Sequence, residues 1–190
     1  MPSSPPQALL LVDGYNVIGA WSDLKQTRDR HGLEEARREL LHSLMDYSSY
    51  HSFDTHVVFD AQYQDTPGSR EVITSYLCIC YTDYRQTADS YIEKTCALFR
   101  NDPRKLSQRL IVATSDRAQQ LTVVGYGAEW MSAQKLQTEV ELMFARVRRQ
   151  HRTTHRQQKQ STSRFLASGL DPAAQQRLAD LRFGKDRKKS

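Results

Sequence analysis

Five carboxylates stand out by the places they occupy. Asp13 closes the apolar run Ala8–Val12, and Asp60 closes a second run, Thr55–Phe59. Asp116 follows Leu110–Ala113 through Thr114 and Ser115. Asp89 and Glu93 are four residues apart in a segment of helical character, so they share one face. Runs of this kind read as strands buried on both faces of a parallel sheet, whose carboxyl ends open onto a common crevice. Five acids converging there require counter-charge. An all-oxygen donor set without His or Cys suits Mg²⁺ or Mn²⁺ better than zinc. Such an ion binds phosphate oxygens and activates water, and the chemistry that fits is phosphodiester hydrolysis. Asn16 and Ser115 lie near the same edge and could orient a water, a carboxylate or a phosphate.

Each acid also has a plain structural reading. Asp116 before Arg117 reads as a helix N-cap, and Asp60 as a cap or turn residue. Asp89 reads as an early-helix acid that complements the dipole, and Glu93 as a surface residue. Asp13 is the hardest to explain in that way, because Gly14, Tyr15 and Asn16 follow it and do not read as a helix.

The elements that must position these acids alternate. Strands are expected at Ala8–Val12, Thr55–Phe59, within Glu71–Tyr81, at Leu110–Ala113 and at Ala128–Met131. Helices are expected at Leu33–Tyr50, at Thr87–Phe99 with Thr87 as cap, at Arg117–Val124 stopped by Gly125, and from Ala133 into the 150s with Ser132 as cap. Gln62–Arg70 reads as a loop. The alternation predicts an α/β fold with a mostly parallel sheet. A last small helix is expected near 171–183, with Asp171 as cap and Pro172 in its first turn.

Charge divides the chain. Arg146–Ser190 holds 13 Lys+Arg against 3 Asp+Glu, whereas residues 1–145 hold 14 against 19. An acidic body with a basic tail suggests a polyanion held by the tail; the plain alternative is a solvated or disordered end. No apolar run is long enough to span a membrane, and MPSSPPQA has neither the basic nor the apolar part of a secretory leader, so a cytoplasmic protein is expected. Cys78, Cys80 and Cys96 show no zinc or disulfide spacing and read as reduced core thiols. Cys78 and Cys80 are expected on opposite faces of their strand. His151 and His155 could meet on one helical face, but they sit in a basic run that better suits a phosphate-facing surface. Gly125-Tyr126-Gly127 lacks the pattern of a dinucleotide loop. Tyr15, Trp21, Tyr63, Tyr81 and Tyr84 flank the acidic edge and could stack on unpaired bases, with partial burial as the plain alternative.

VDGYNVI at Val12–Ile18, VFDA at Val58–Ala61, TADSYIE at Thr87–Glu93 and VATSD at Val112–Asp116 stand in order and together resemble the YacP-like branch of the NYN domains, within the PIN-like nucleases. The resemblance covers Leu9 to about Arg146 and leaves the basic tail outside. It implies an α/β fold, a PIN-like three-layer sandwich with a central mostly parallel sheet, here followed by a basic helical C-terminal extension. The division expected from the sequence is a disordered N-terminus (1–7), a nuclease domain (8–147) and a basic extension (148–190) to which the resemblance assigns no role. The implied activity is a Mg²⁺- or Mn²⁺-dependent endoribonuclease. Asp13, Asp60, Asp89 and Asp116 match the family's acids, with Glu93 as a further metal ligand and Asn16, Ser115 and Tyr15 orienting or binding substrate. Ser90 stands where relatives often carry another acid.

The substrate expected from this reading is single-stranded RNA, extending to mRNA in a ribosomal context through the basic tail. The alternative is a non-catalytic RNA-binding or ribosome-associated module. A receiver or phosphatase domain would also gather acids at strand ends. It fits poorly, because Asp13 lacks an adjacent acid and Tyr15 stands where a haloacid-type phosphatase needs Asp.

Overall fold

The computed structural model describes residues 5–60 and 68–168, with side chains through residue 150. Six strands form one sheet in the order β3-β4-β2-β1-β5-β6. They are β1 (Ala8–Asp13), β2 (Phe53–Phe59), β3 (Ser69–Thr74), β4 (Leu77–Tyr81), β5 (Arg109–Ala113) and β6 (Glu129–Met131). Every pairing is parallel except β3 with β4. Central β1 is buried at every position, as its unbroken apolar run requires of a parallel strand covered on both faces.

The helices are α1 (Gly14–Ala20), α2 (Ser22–His31), α3 (Leu33–His51), α4 (Ala88–Phe99), α5 (Arg117–Gly125) and α6 (Ala133–Ser168). Leu9, Leu11, Val58 and Val112 pack against Ile92, Cys96 and Phe99 of α4 and Val123 of α5. On α3, Ala36, Leu40, Leu44 and Tyr47 are buried at helical spacing. Three hydrogen bonds, two of them between residues distant in the chain, tie that layer together. Ser48 Oγ donates to Thr55 Oγ1 at 2.7 Å, the Tyr47 hydroxyl donates to Glu139 Oε2 at 2.6 Å, and Trp21 Nε1–H donates to the Ala133 carbonyl at 2.7 Å. With helices over the sheet, the mostly parallel sheet forms the α/β, PIN-like sandwich expected from the sequence. The chain divides into a compact unit of Met1–Met143 and a second unit, Phe144–Ser190. The helix expected near 171–183 lies outside the described residues, as does Tyr63.

Several expectations are corrected. Asp13 is followed by a helix after all, α1, and by a second one, α2. Glu71–Tyr81 holds parts of two antiparallel strands, not one strand; they turn at Ser75-Tyr76, where Tyr76 N–H donates to Thr74 Oγ1 at 3.1 Å. Cys78 and Cys80 share a face, because side chains two apart on a strand point the same way; their Sγ atoms are 3.9 Å apart. Trp21 is a core residue, 4% exposed, and not a base platform. A 3₁₀ turn at Pro103–Leu106, capped by Asp102, precedes β5.

Candidate active site

The parallel sheet sends the ends of β1, β2, β5 and β6 to one edge, and the N-termini of α1, α5 and α6 start there. Asp13 ends β1 and caps α1: its Oδ1 accepts from Asn16 N–H at 3.1 Å. Asp116 caps α5, with Oδ1 accepting from Ala118 N–H at 2.7 Å and Gln119 N–H at 3.0 Å. Asp89 lies in the first turn of α4, whose cap Thr87 accepts from Ser90 N–H. Asp60 directly follows β2. Glu93 is one turn beyond Asp89 on α4 and half-buried. Each helix start lends partial positive charge to the acid mounted on it.

The acids sense one another. Asp13 is 8% exposed, and burial pushes its carboxyl up from 3.8 to about 6. The Asn16 N–H bond opposes this, and the charges of Asp89, Asp116 and Asp60 add to it. Asp89 is also raised, first by partial burial, then by Asp116, Glu93 and Asp60. Sequence reasoning therefore placed Asp13, Asp60, Asp89, Glu93 and Asp116 in one electrostatic neighbourhood. Their carboxylates do not crowd onto a single point. Among the described residues the one group of three or more His, Cys, Asp or Glu whose ligand atoms all lie within 4.8 Å is His56, Cys78 and Cys80.

Asn16 and Ser115 are brought together across 99 residues: Asn16 Oδ1 accepts from Ser115 N–H at 2.7 Å. This bond locks the β5–α5 corner to the start of α1. Ser115 Oγ donates to Gln134 Oε1 at 2.9 Å and accepts from Ala133 N–H at 3.1 Å, so α6 is tied to the same corner. Tyr15 is half-buried, its ring 5.1 Å from that of Phe59. The Tyr81 ring stacks 6.1 Å from the same Phe59 ring. Gly14 is required by close approach: a Cβ there would stand 2.3 Å from the Phe59 ring.

Two residues of this neighbourhood were missed. Gln119 is 3% exposed, and its Nε2 donates to Asp89 Oδ1, joining α5 to α4. Its position three residues beyond Asp116 was the available signal, but a buried glutamine on a polar helix looks like a surface one. Arg37 of α3 sits over the Phe59 ring, 5.7 Å from its centroid, and opposes the rise of the Tyr15 phenol that burial causes. Nothing in its local sequence separates it from neighbouring Arg38. Tyr84 is exposed, with Arg85 over its ring. His151 and His155 fall in the helical backbone of α6, beyond the described side chains.

The donors are oxygens of the type a hard divalent cation takes, although no three of these carboxylates stand within 4.8 Å of one another. The hydrogen bonds of Asp13, Asp89 and Asp116 among the described residues all fall on Oδ1, which leaves each second oxygen uncommitted. A carboxylate driven toward its neutral form by burial, and further by neighbouring acids, is relieved by a cation.

Comparison with known proteins agrees with this arrangement. The YacP-like NYN domain family matches residues 10–183, so the matched region extends into the basic tail, beyond the Arg146 limit read from the motifs. YacP of Bacillus subtilis (strain 168) is 37% identical over 150 residues, which cover 76% of this chain and 81% of that protein. The crystal structure of Rae1 (YacP) from Bacillus subtilis superposes with a TM-score of 0.62 at 31% identity, covering 93% of this chain and 95% of the other. A tryptophan-to-leucine mutant of that protein gives 0.63 at 35% identity, covering 77% and 82%. By sequence and by fold, this chain belongs to the YacP-like NYN domain family, whose relationship to PIN-like folds makes it nuclease-like.

Proposed function

We propose that the chain is a Mg²⁺- or Mn²⁺-dependent endoribonuclease that hydrolyses phosphodiester bonds of single-stranded RNA. The observation that carries this reading is the buried carboxylate of Asp13, raised to about 6 by burial and by the acids of three other elements, with one oxygen committed to a helix cap and the other uncommitted among the described residues. Asp13, Asp89 and Asp116 would hold the cation, with Asp60 and Glu93 beside them. A divalent ion bound there would supply charge to the phosphate and lower the pKa of an attacking water. The protein's own groups do the positioning. The Asn16–Ser115 bond fixes the corner on which Asp116 is mounted. Gln119 holds the Asp89 carboxylate from the side. Tyr15, braced on Phe59, offers a ring edge to an unpaired base. The basic segment 148–190 would hold the RNA backbone, and a ribosome-bound mRNA is the extended form of this proposal. The proposed division is an N-terminal segment 1–7, a nuclease domain 8–147 and this extension, in a cytoplasmic protein with Cys78, Cys80 and Cys96 outside any disulfide.

The test is cleavage of a mixed-sequence, 5′-labelled single-stranded RNA by wild type and Asp13→Asn, with EDTA, Mg²⁺ or Mn²⁺. Internal cuts that need metal and vanish in the variant are expected. Equal cutting by both would overturn the site. Binding without cutting by either, also on translating ribosomes, would favour the non-catalytic RNA-binding module.

A further inference from the structure

Away from the acidic edge, three soft donors meet inside the sheet. His56 on β2 pairs in register with Cys78 on β4, and Cys80 lies two residues on, on the same face. One imidazole nitrogen and the two Sγ atoms lie within 4.8 Å of one another. The three residues are 8%, 3% and 1% exposed. We propose that His56, Cys78 and Cys80 form a buried zinc-binding site, separate from the carboxylate site.

Four observations support a metal over three packed side chains. First, the Sγ–Sγ separation is 3.9 Å. Two thiolates on one tetrahedral Zn²⁺, with Zn–S of about 2.3 Å, stand about 3.8 Å apart, so the sulfurs need almost no movement. Second, the imidazole has a carboxylate partner on one ring nitrogen and none on the other among the described residues. Its Nε2 lies 3.2 Å from Asp54 Oδ1, the arrangement in which a carboxylate fixes the tautomer of a metal-binding histidine. Nδ1 is buried and has no hydrogen-bond partner among the described residues. A buried, unpartnered ring nitrogen is costly unless something binds it. Third, Arg70 on β3 lies 3.1 Å from the same Nε2. A single Nε2 cannot both donate to Asp54 and accept from Arg70. Donation to the carboxylate is favoured electrostatically, and the guanidinium then balances the Asp54 charge. Fourth, Arg70 favours the thiolate of Cys78 and Tyr91 that of Cys80, each opposing the burial that holds the thiol protonated.

The charges close. Zn²⁺ displaces one proton from each thiol to solvent, the imidazole binds neutral, and the site keeps its net charge. Three protein ligands leave a fourth position for water. The ion would clamp β2 to β4 and, through β4, hold the β3–β4 hairpin. The sequence hides the site because its ligands come from neighbouring strands and lack the short loop spacing of zinc modules.

The full-length protein would be expressed with added zinc, reduced, and washed with a mild chelator. Bound metal would be counted, and zinc would be replaced by Co²⁺ for absorption spectroscopy. About one zinc per chain is expected, with a thiolate-to-cobalt charge-transfer band. Asp13→Asn should keep both, because that residue belongs to the other site. The double variant Cys78→Ser, Cys80→Ser should lose the band and the retained metal while keeping its circular dichroism. His56→Gln should bind at least tenfold more weakly. Folded, reduced wild type that retains no metal and shows no charge-transfer band would overturn the proposal, whatever the variants do. So would a band that survives in the double variant.

Discussion

Replacing Asp13 by Asn should make the metal-free protein more stable at neutral pH, even though it removes the residue placed at the centre of the site. The carboxyl of Asp13 is raised from 3.8 to about 6, with burial as the largest cause. The folded state therefore holds this proton more tightly than the unfolded chain does. Folding carries no penalty below 3.8. The penalty grows as pH rises between 3.8 and about 6 and is complete above. Tenfold in proton affinity is about 1.4 kcal/mol, so the full penalty is about 3 kcal/mol. Asn carries no charge and still caps α1, since its side-chain oxygen can accept from Asn16 N–H as Asp13 Oδ1 does. The variant thus escapes the penalty without losing the cap.

The assay is thermal unfolding of wild type and Asp13→Asn in EDTA, from pH 4 to pH 8. For a chain of this length about 3 kcal/mol corresponds to a Tm difference of about 6–12 °C. The variant should be the more stable at pH 8, and the difference should shrink toward zero near pH 4. Mn²⁺ or Mg²⁺ at pH 8 should raise wild type and leave the variant nearly unmoved, closing the gap. A variant less stable than wild type at pH 8 without metal would refute the reasoning. An offset independent of pH would do so as well, because it would place the effect in packing and not in the charge.

Three other perturbations have defined outcomes. Gly14→Ala would force a methyl to within 2.3 Å of the buried Phe59 ring and should cost about 1–3 kcal/mol in urea unfolding. Asn16→Ala removes the acceptor of the solvent-exposed Ser115 N–H, 2.7 Å away; water can replace it, so a loss of about 0.5–1.5 kcal/mol is expected, together with reduced RNA cleavage that Asn16→Asp partly restores. Gln119→Ala releases the Asp89 carboxylate and empties a buried position between α5 and α4; it should lower the metal-free Tm and also lower kcat on the order of tenfold in the RNA assay, about 1.4 kcal/mol at the transition state.

The strands and the acids were legible in the sequence for the same reason. A parallel sheet makes its strands apolar throughout, so a carboxylate at the end of one is conspicuous. Thr87 and Ser132 were legible as caps because a small hydroxyl stood before a periodic run, and both accept from the residue three on. The first two helices were not. GYNVIGA has two glycines and two β-branched residues, all poor helix formers. It is helical because Asp13 caps it and Val17 and Ile18 are buried. The charged α2 buries Leu24 alone, so it carries almost no amphipathic signal. The β3–β4 turn uses Ser75-Tyr76, without the Gly or Asn that announces a hairpin. Non-local pairings, such as Asn16 with Ser115 or Gln119 with Asp89, are invisible to any reading of local pattern.

The structural and the chemical readings of the acids are not rivals. Asp13 and Asp116 are helix caps, as a plain reading of Asp116 expected, and each caps with Oδ1. Capping is what aims these carboxylates: it fixes the rotamer against the first turn and sets the acid in the positive end of the helix dipole. A cap needs one oxygen, and a metal ligand needs one oxygen. The residue that satisfies the helix start is thereby held rigid for the cation, which is how a ligand should be mounted. What separates a capping acid from one that also binds metal is the surroundings of the second oxygen. At Asp102, the second oxygen is taken by the Arg104 guanidinium, and its carboxyl is held below the usual range. At Asp13 no cation faces the carboxyl among the described residues; burial, and then the other acids, drive it up. The same cap geometry thus marks a finished structural contact at one position and an unmet demand for positive charge at the other.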